Sequence, residues 1–290
     1  EPFHQERDFS FRPKLISGLV AIEFSLTNHR TYAFFVPYLL LLGSGWQIQR
    51  FVEDQGGKIW SLLAVTLVLT MPTMMMYGRT VYLEAMVTGG FILIIRDILL
   101  TNISNLNEKD AIRWGIIASL VGAIKYPYLY LGLGGLILLY GLSKNLRLTG
   151  LYVAGWILIQ APFAIIDFFD HNNAFASFGP QFNGAITSIT SEVGDYTPVI
   201  AFKDIQGQLL TPLLILFIIG LVIWLRKNLQ LRGRVVILLI IPATILFTFI
   251  LDFGWPRYHI PWLTAIIIIG ISGIVQPLPT TSSKQTKQIY

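Results

Sequence analysis

Residues 59–100 read IWSLLAVTLVLTMPTMMMYGRTVYLEAMVTGGFILIIRDILL. No charge falls between Ile59 and Tyr77, and from Val81 to Leu100 the charges are Glu84 near the start and Arg96 and Asp97 near the end. Each run has roughly the 20 residues that a helix needs to cross a hydrocarbon core about 30 Å thick. The turn between them, Gly78-Arg79-Thr80, sends the chain back the way it came. This stretch therefore predicts an all-α fold, a polytopic transmembrane helix bundle.

The rest of the chain agrees with that expectation. It has 290 residues, 54% hydrophobic and 13% charged, with a mean hydropathy of +0.63. A soluble domain carries roughly 25% charged residues to cover its surface, so this composition excludes an ordinary soluble enzyme. There is no cysteine, which excludes disulfide frameworks, zinc ribbons and thiolate nucleophiles. The four histidines, His4, His29, His171 and His259, lack metal-ligand spacing, so no metal site is expected. Working outward, eight or nine spans are expected near 31–46, 59–77, 81–100, 114–128, 131–142, 150–169, 209–225, 235–253 and 258–275. The fourth and fifth are separated at Lys125-Tyr126-Pro127, since a proline disfavours helical geometry in the residue before it. Residues 1–275 form one membrane domain in this reading and 276–290 a cytoplasmic tail.

The loops orient the bundle, because lysine and arginine collect in short cytoplasmic loops. Alternate loops hold Arg50 and Lys58, Lys109 and Arg113, Lys144 and Arg147, then Arg226, Lys227, Arg232 and Arg234, with Lys284 and Lys287 in the tail. The opposite loops hold Arg79, Lys125, Lys203 and Arg257, although one of them, residues 170–208, is the longest of all. The net charge of +5 is thus topological, and nucleic acid is not an expected partner. Residues 1–30 fall on the outer side with no apolar leader before them, so the chain is expected to start after a lost first span.

Ionisable residues in or beside spans are expensive, at about 2.5–3.5 kcal/mol at the bilayer centre, and mark function by default. On the outer side Arg79 and Glu84 flank one turn, Lys125 ends a short span beside two tyrosines, and Arg257, Tyr258 and His259 lie between Pro256 and Pro261. Taken singly, each has a plain explanation: Lys125 and Arg257 snorkel to headgroups, Glu84 pairs with Arg79, and His259 is an interfacial histidine. Arg96 and Asp97 read as a snorkelling pair, and Asp167, Asp170 and His171 open the long outer loop. Three cations and a carboxylate on one face together suit a phosphate-bearing substrate.

Four pieces carry a family resemblance. Phe11-Arg12-Pro13-Lys14-Leu15, followed by apolar residues and Arg30, is similar to a Pro-Pro-Leu element before a span that opens with arginine, with Lys14 in place of the second proline. Met71-Pro72 through Tyr77-Gly78-Arg79 to Glu84 looks like a proline, Tyr-x-Arg and acidic residue in the second outer loop. Ala123-Ile124-Lys125-Tyr126-Pro127 is similar to a helix ending in Thr-Lys-x-Pro, with Ile124 replacing the threonine, and Pro256-Arg257-Tyr258-His259-Ile260-Pro261 to an Arg-Tyr-x-x-Pro element. Together they resemble the polytopic GT-C glycosyltransferases of the protein O-mannosyltransferase and aminoarabinose-transferase type. The family's first acidic pair stands some twenty residues before the Pro-Pro-Leu element, beyond Glu1. Either it was lost with the missing span or Glu1, Glu6 or Asp8 takes its place.

The resemblance implies an integral membrane enzyme that moves a sugar, with inversion, from a polyprenyl-phosphate donor to a hydroxyl of a protein, lipid or glycan acceptor on the outer face. Glu84, Glu6 and Asp8 are then the catalytic carboxylates; Arg79, Lys125, Arg257, Tyr258 and His259 bind the lipid phosphate and the substrate. Relatives of this type can use a divalent cation, and the loop at 170–208 is the acceptor-facing lid. The rival class is a secondary transporter or lipid flippase, which also places few charges among many spans.

Overall fold

The computed structural model describes residues 14–28, 35–77, 83–100, 106–174, 176, 203, 205–227, 242 and 259–275. The described residues are 91% helical and contain no strand, an all-α structure. The helices are α1 (Lys14–Thr27), α2 (Phe35–Gly56), α3 (Lys58–Leu69), α4 (Pro72–Tyr77), α5 (Leu83–Leu100), α6 (Glu108–Ile124), α7 (Tyr130–Ser143), α8 (Leu146–His171), α9 (Thr211–Lys227) and α10 (Ile260–Val275). A single 3-10 turn, Tyr126–Leu129, joins α6 to α7.

Local chemistry sets the boundaries. Gly57, at φ 85°, makes the reversal between α2 and α3 in a left-handed conformation that a side chain would strain. Asn107 caps α6 in a reciprocal box with Asp110: its side-chain oxygen accepts from the Asp110 N–H at 3.1 Å, and the Asp110 carboxylate accepts from the Asn107 N–H. The Asn145 side chain accepts from the N–H groups of Arg147 and Leu148 to start α8, and Asn172 ends it in the left-handed region at φ 54°. The expected second span is broken at Met71-Pro72, and α4 follows the break. The expected fourth and fifth spans are two helices, as Pro127 requires. Part of the stretch expected to be an outer loop, 1–30, is the helix α1.

α10 occupies the centre. It is apolar all round and buried over nearly its whole length, the condition of a core helix, and it packs on α2, α3, α5 and α9. α5 connects this group to α6, which packs on α7 and α8. Two junctions depend on glycine. Where α6 meets α8, a side-chain carbon on Gly115 would overlap the Tyr152 carbonyl and one on Gly155 the Ile112 carbonyl. Where α9 meets α10, Gly220, Gly270 and Gly273 hold main chain against main chain in the same way. Small residues at such contacts let helices approach until backbones touch. The Ser119 hydroxyl donates to the Trp156 carbonyl at 2.7 Å, and the Gln160 amide donates to the Ser119 carbonyl at 3.0 Å, so α6 and α8 are also tied by polar bonds.

One end of the bundle gathers the ion pairs found among the described residues. Arg96 pairs with Asp54 at 2.8 Å, Arg113 with Asp97 at 2.7 Å and Arg147 with Glu108 at 2.8 Å. These join the C-terminal ends of α2 and α5 to the N-terminal ends of α6 and α8. Arg96 and Asp97 therefore each reach to another helix, where the sequence suggested that they pair with each other. At the same end the Lys227 ammonium donates to the Gly273 carbonyl, and the Trp224 indole N–H to the Gln55 side-chain oxygen.

One described helix, α8, has the length and hydropathy needed to cross a membrane, and only 17% of its apolar window is buried inside the protein. α3, α7 and α10 are apolar but shorter. α2 carries Arg50, Glu53 and Asp54 in its last turns, and α5 carries Glu84, Arg96 and Asp97. Large apolar side chains point outward on several helices, among them Leu158 (62% exposed) and Phe169 (79% exposed) on α8. The expected span near 235–253 lies outside the described residues, apart from Pro242.

Candidate functional site

The end opposite the ion pairs holds the buried polar side chains Thr73, Lys125 and His259. α6 stops because Pro127 disfavours helical geometry just before it, and Lys125 takes an extended backbone, φ −151° and ψ 115°. Its N–H donates to the Val121 carbonyl at 3.1 Å, and its carbonyl accepts from the Tyr128 N–H at 3.0 Å. The turn is thereby closed on both sides of Lys125. The lysine is 9% exposed and Tyr128 is fully buried. The Tyr128 and Tyr130 rings lie 6.2 Å apart. A lysine that only snorkelled would bury its stem and keep its ammonium in water; this one is buried as a whole.

His259 opens α10 and is 1% exposed. The Trp262 ring meets it edge-on, with centroids 5.5 Å apart. Met71, Thr73, Gln208, Ile260 and Leu263 line with it a narrow crevice too tight for water. The Thr73 N–H donates to the Gln208 side-chain oxygen at 2.7 Å, whereas the buried Thr73 hydroxyl has no hydrogen-bond partner. The structure thus brings together the Met71-Pro72-Thr73 turn, the start of α10 and the last residue of the expected long loop. Two of the four sequence motifs meet here, although 186 residues separate Thr73 from His259 in the chain.

Of the other residues singled out by sequence, Glu84 lies in the first turn of α5, at this same end, and its side chain is outside the described atoms. Glu6, Asp8, Arg79, Arg257 and Tyr258 lie outside the described residues, as does most of the 170–208 loop. No group of three metal-ligating side chains occurs among the described residues.

Asp167 falls near the end of the span expected at 150–169, leading into the long loop, and in the structure it sits inside α8 and is 4% exposed. Asp170 and His171, one turn on, are exposed. A carboxylate interrupting the apolar run Ala164-Ile165-Ile166 was the available signal. Nothing in the sequence pointed to Thr73 or Gln208, whose roles come from long-range packing. No family model matches the chain, and neither characterised proteins nor solved structures yield a match.

Proposed function

We propose that the chain is a multi-pass membrane glycosyltransferase of the GT-C kind, which transfers a sugar from a polyprenyl-phosphate donor to an acceptor hydroxyl on the outer face. The observation that carries this reading is the asymmetry of the bundle. Arginine–carboxylate pairs are at one end, while the other end buries Lys125 and His259 and holds the start of α5 with Glu84. Outward apolar faces and glycine-mediated helix contacts suit a bilayer setting.

The chemistry accounts for the residue types. As the sugar leaves with oxocarbenium character, negative charge grows on the lipid phosphate, and cations already in place stabilise that charge more in the transition state than in the ground state. Lys125, Arg79 and Arg257 take this part, with His259 and Tyr258 as hydrogen-bond donors. Glu84, Glu6 or Asp8 supplies a catalytic carboxylate that orients the acceptor hydroxyl or takes its proton, general-base help being worth about 10²–10⁴ in rate. Transporters of the rival class place their functional polar groups near the bilayer midplane, whereas Glu84 lies in the first turn of α5 and Lys125 just past the end of α6, and charges at helix ends favour an interfacial enzyme.

The test is sugar transfer from labelled polyprenyl-phosphate hexose and pentose donors in membranes containing the protein. Glu84→Gln and Arg257→Ala are each expected to lower turnover by about 100-fold at equal expression. Turnover of both variants at the unsubstituted rate rejects the assigned roles.

A further inference from the structure

We infer that Asp167 is a catalytic carboxylate of this site, standing on the acceptor side opposite the phosphate-binding Lys125. The inference rests on the transferase reading above and adds to it a residue on α8 that the family motifs do not include. Three observations carry it. Asp167 is the acidic side chain that α8 buries, in the one described helix with the length and hydropathy of a membrane span. A carboxylate in such a position is costly and is kept for a reason. The helices α6 and α8 run in the same direction in a fixed register, in which Gln160 bonds to Ser119, 41 positions earlier. Ser119 also bonds to Trp156, 37 positions later, and Gly155 packs on Ile112, 43 positions earlier, so offsets of 37–43 carried to the end of α6 set Lys125 level with residues 162–168 of α8, the stretch that holds Asp167. Finally, α8 runs directly into the stretch 170–208 that the sequence assigns to the acceptor side.

The step balances without any further reactant. The acceptor oxygen attacks the anomeric carbon from the face opposite the phosphate, and the carbon–oxygen bond to phosphate breaks. The bonding pair stays on the phosphate oxygen, beside Lys125. The acceptor proton passes to the Asp167 carboxylate and then to water. The proposed step sets base and cation on the two sides of the sugar, and the residues come from α8 and α6, which pack on each other.

The experiment uses the full chain in vesicles, with labelled polyprenyl-phosphate hexose and pentose donors and host membrane as acceptor. Binding of unmodified polyprenyl phosphate, read as thermal stabilisation, is measured in parallel. Asp167→Asn is expected to lower kcat by at least about 100-fold, leaving the donor KM and the stabilisation by polyprenyl phosphate within about twofold of the unsubstituted protein. Asp167→Glu is expected to recover about a tenth or more of the lost rate, because it keeps the base. Asp167→Asn turning over within about threefold of the unsubstituted rate overturns the inference. So does a parallel loss of kcat, lipid-phosphate binding and thermal stability that Asp167→Glu fails to restore, which is the pattern of a purely structural carboxylate. Absence of transfer by the unsubstituted protein is a separate outcome: it overturns the transferase reading itself.

Discussion

Replacing Gly270 by alanine sets a methyl group 2.5 Å from the Phe217 carbonyl oxygen and 2.8 Å from its α-carbon. A carbon and a carbonyl oxygen settle at about 3.3 Å or more, so the deficit is about 0.8 Å. Both obstructing atoms are main chain of α9, and no rotamer change relieves them. The helices must separate by about that distance, and a gap of 0.5–1 Å forfeits about a quarter to a half of the dispersion well. For about 40 close atom pairs at about 0.1 kcal/mol each, the loss is about 1–2 kcal/mol, within the range of about 1–3 kcal/mol usual for overpacking. At Gly150 of α8 an added methyl meets nothing within 4 Å, and alanine there gains about 0.5–1 kcal/mol in helix propensity. The two substitutions are therefore opposite in sign. Thermal unfolding of the detergent-solubilised protein, followed by tryptophan fluorescence, reads the difference at about 2–4 °C per kcal/mol. A Gly270→Ala protein as stable as the unsubstituted one, or Gly150→Ala lowering Tm as much as Gly270→Ala, refutes the packing argument.

Two other substitutions test the interior. The Thr264 hydroxyl is fully buried without a hydrogen-bond partner, so Thr264→Val, which keeps the shape and removes the desolvated group, is expected to raise stability by about 1 kcal/mol in the same melt. Asp97 is mostly buried while Arg113 is half exposed, so Arg113→Ala takes the hydrogen-bonded cation from a buried carboxylate, with Arg96 still nearby, and costs about 2 kcal/mol. Adding Asp97→Asn to Arg113→Ala is expected to recover more than half of that loss, and no recovery in the double variant contradicts a direct pairing.

The parts of this fold that local chemistry determines are legible in the sequence. Pro127 announces the break between α6 and α7, and the small residues from Gly115 to Ala123 announce a closely packed helix. The alternation of basic loops anticipates the end at which Arg113 and Arg147 find their partners. The buried position of α10 also follows from its uniformly apolar sequence. Other features depend on contacts between distant segments. The pairing of Arg96 with Asp54 spans 42 positions, and its partner could not be chosen over the adjacent Asp97 by spacing alone. The bond from Thr73 to Gln208 spans 135 positions and involves two residues with no distinguishing chemistry. Asp167 is visible as a charge in an apolar run, but only the packing of α6 on α8 places it at the same end of the bundle as Lys125. Helix ends were read less well than helix existence: the apolar run from Ile59 to Tyr77 contains the break at Met71-Pro72.

The central claim, a phosphate-binding outer face that serves sugar transfer, is tested most directly by comparing two activities of the full chain in sealed vesicles. One is transfer of labelled sugar from polyprenyl phosphate to acceptor, and the other is counterflow of the same donor across the bilayer. The account predicts transfer by the unsubstituted protein, a loss of about 100-fold or more in Lys125→Gln at equal expression, and no counterflow. Counterflow without transfer, or transfer unaffected by removing the Lys125 charge, contradicts it.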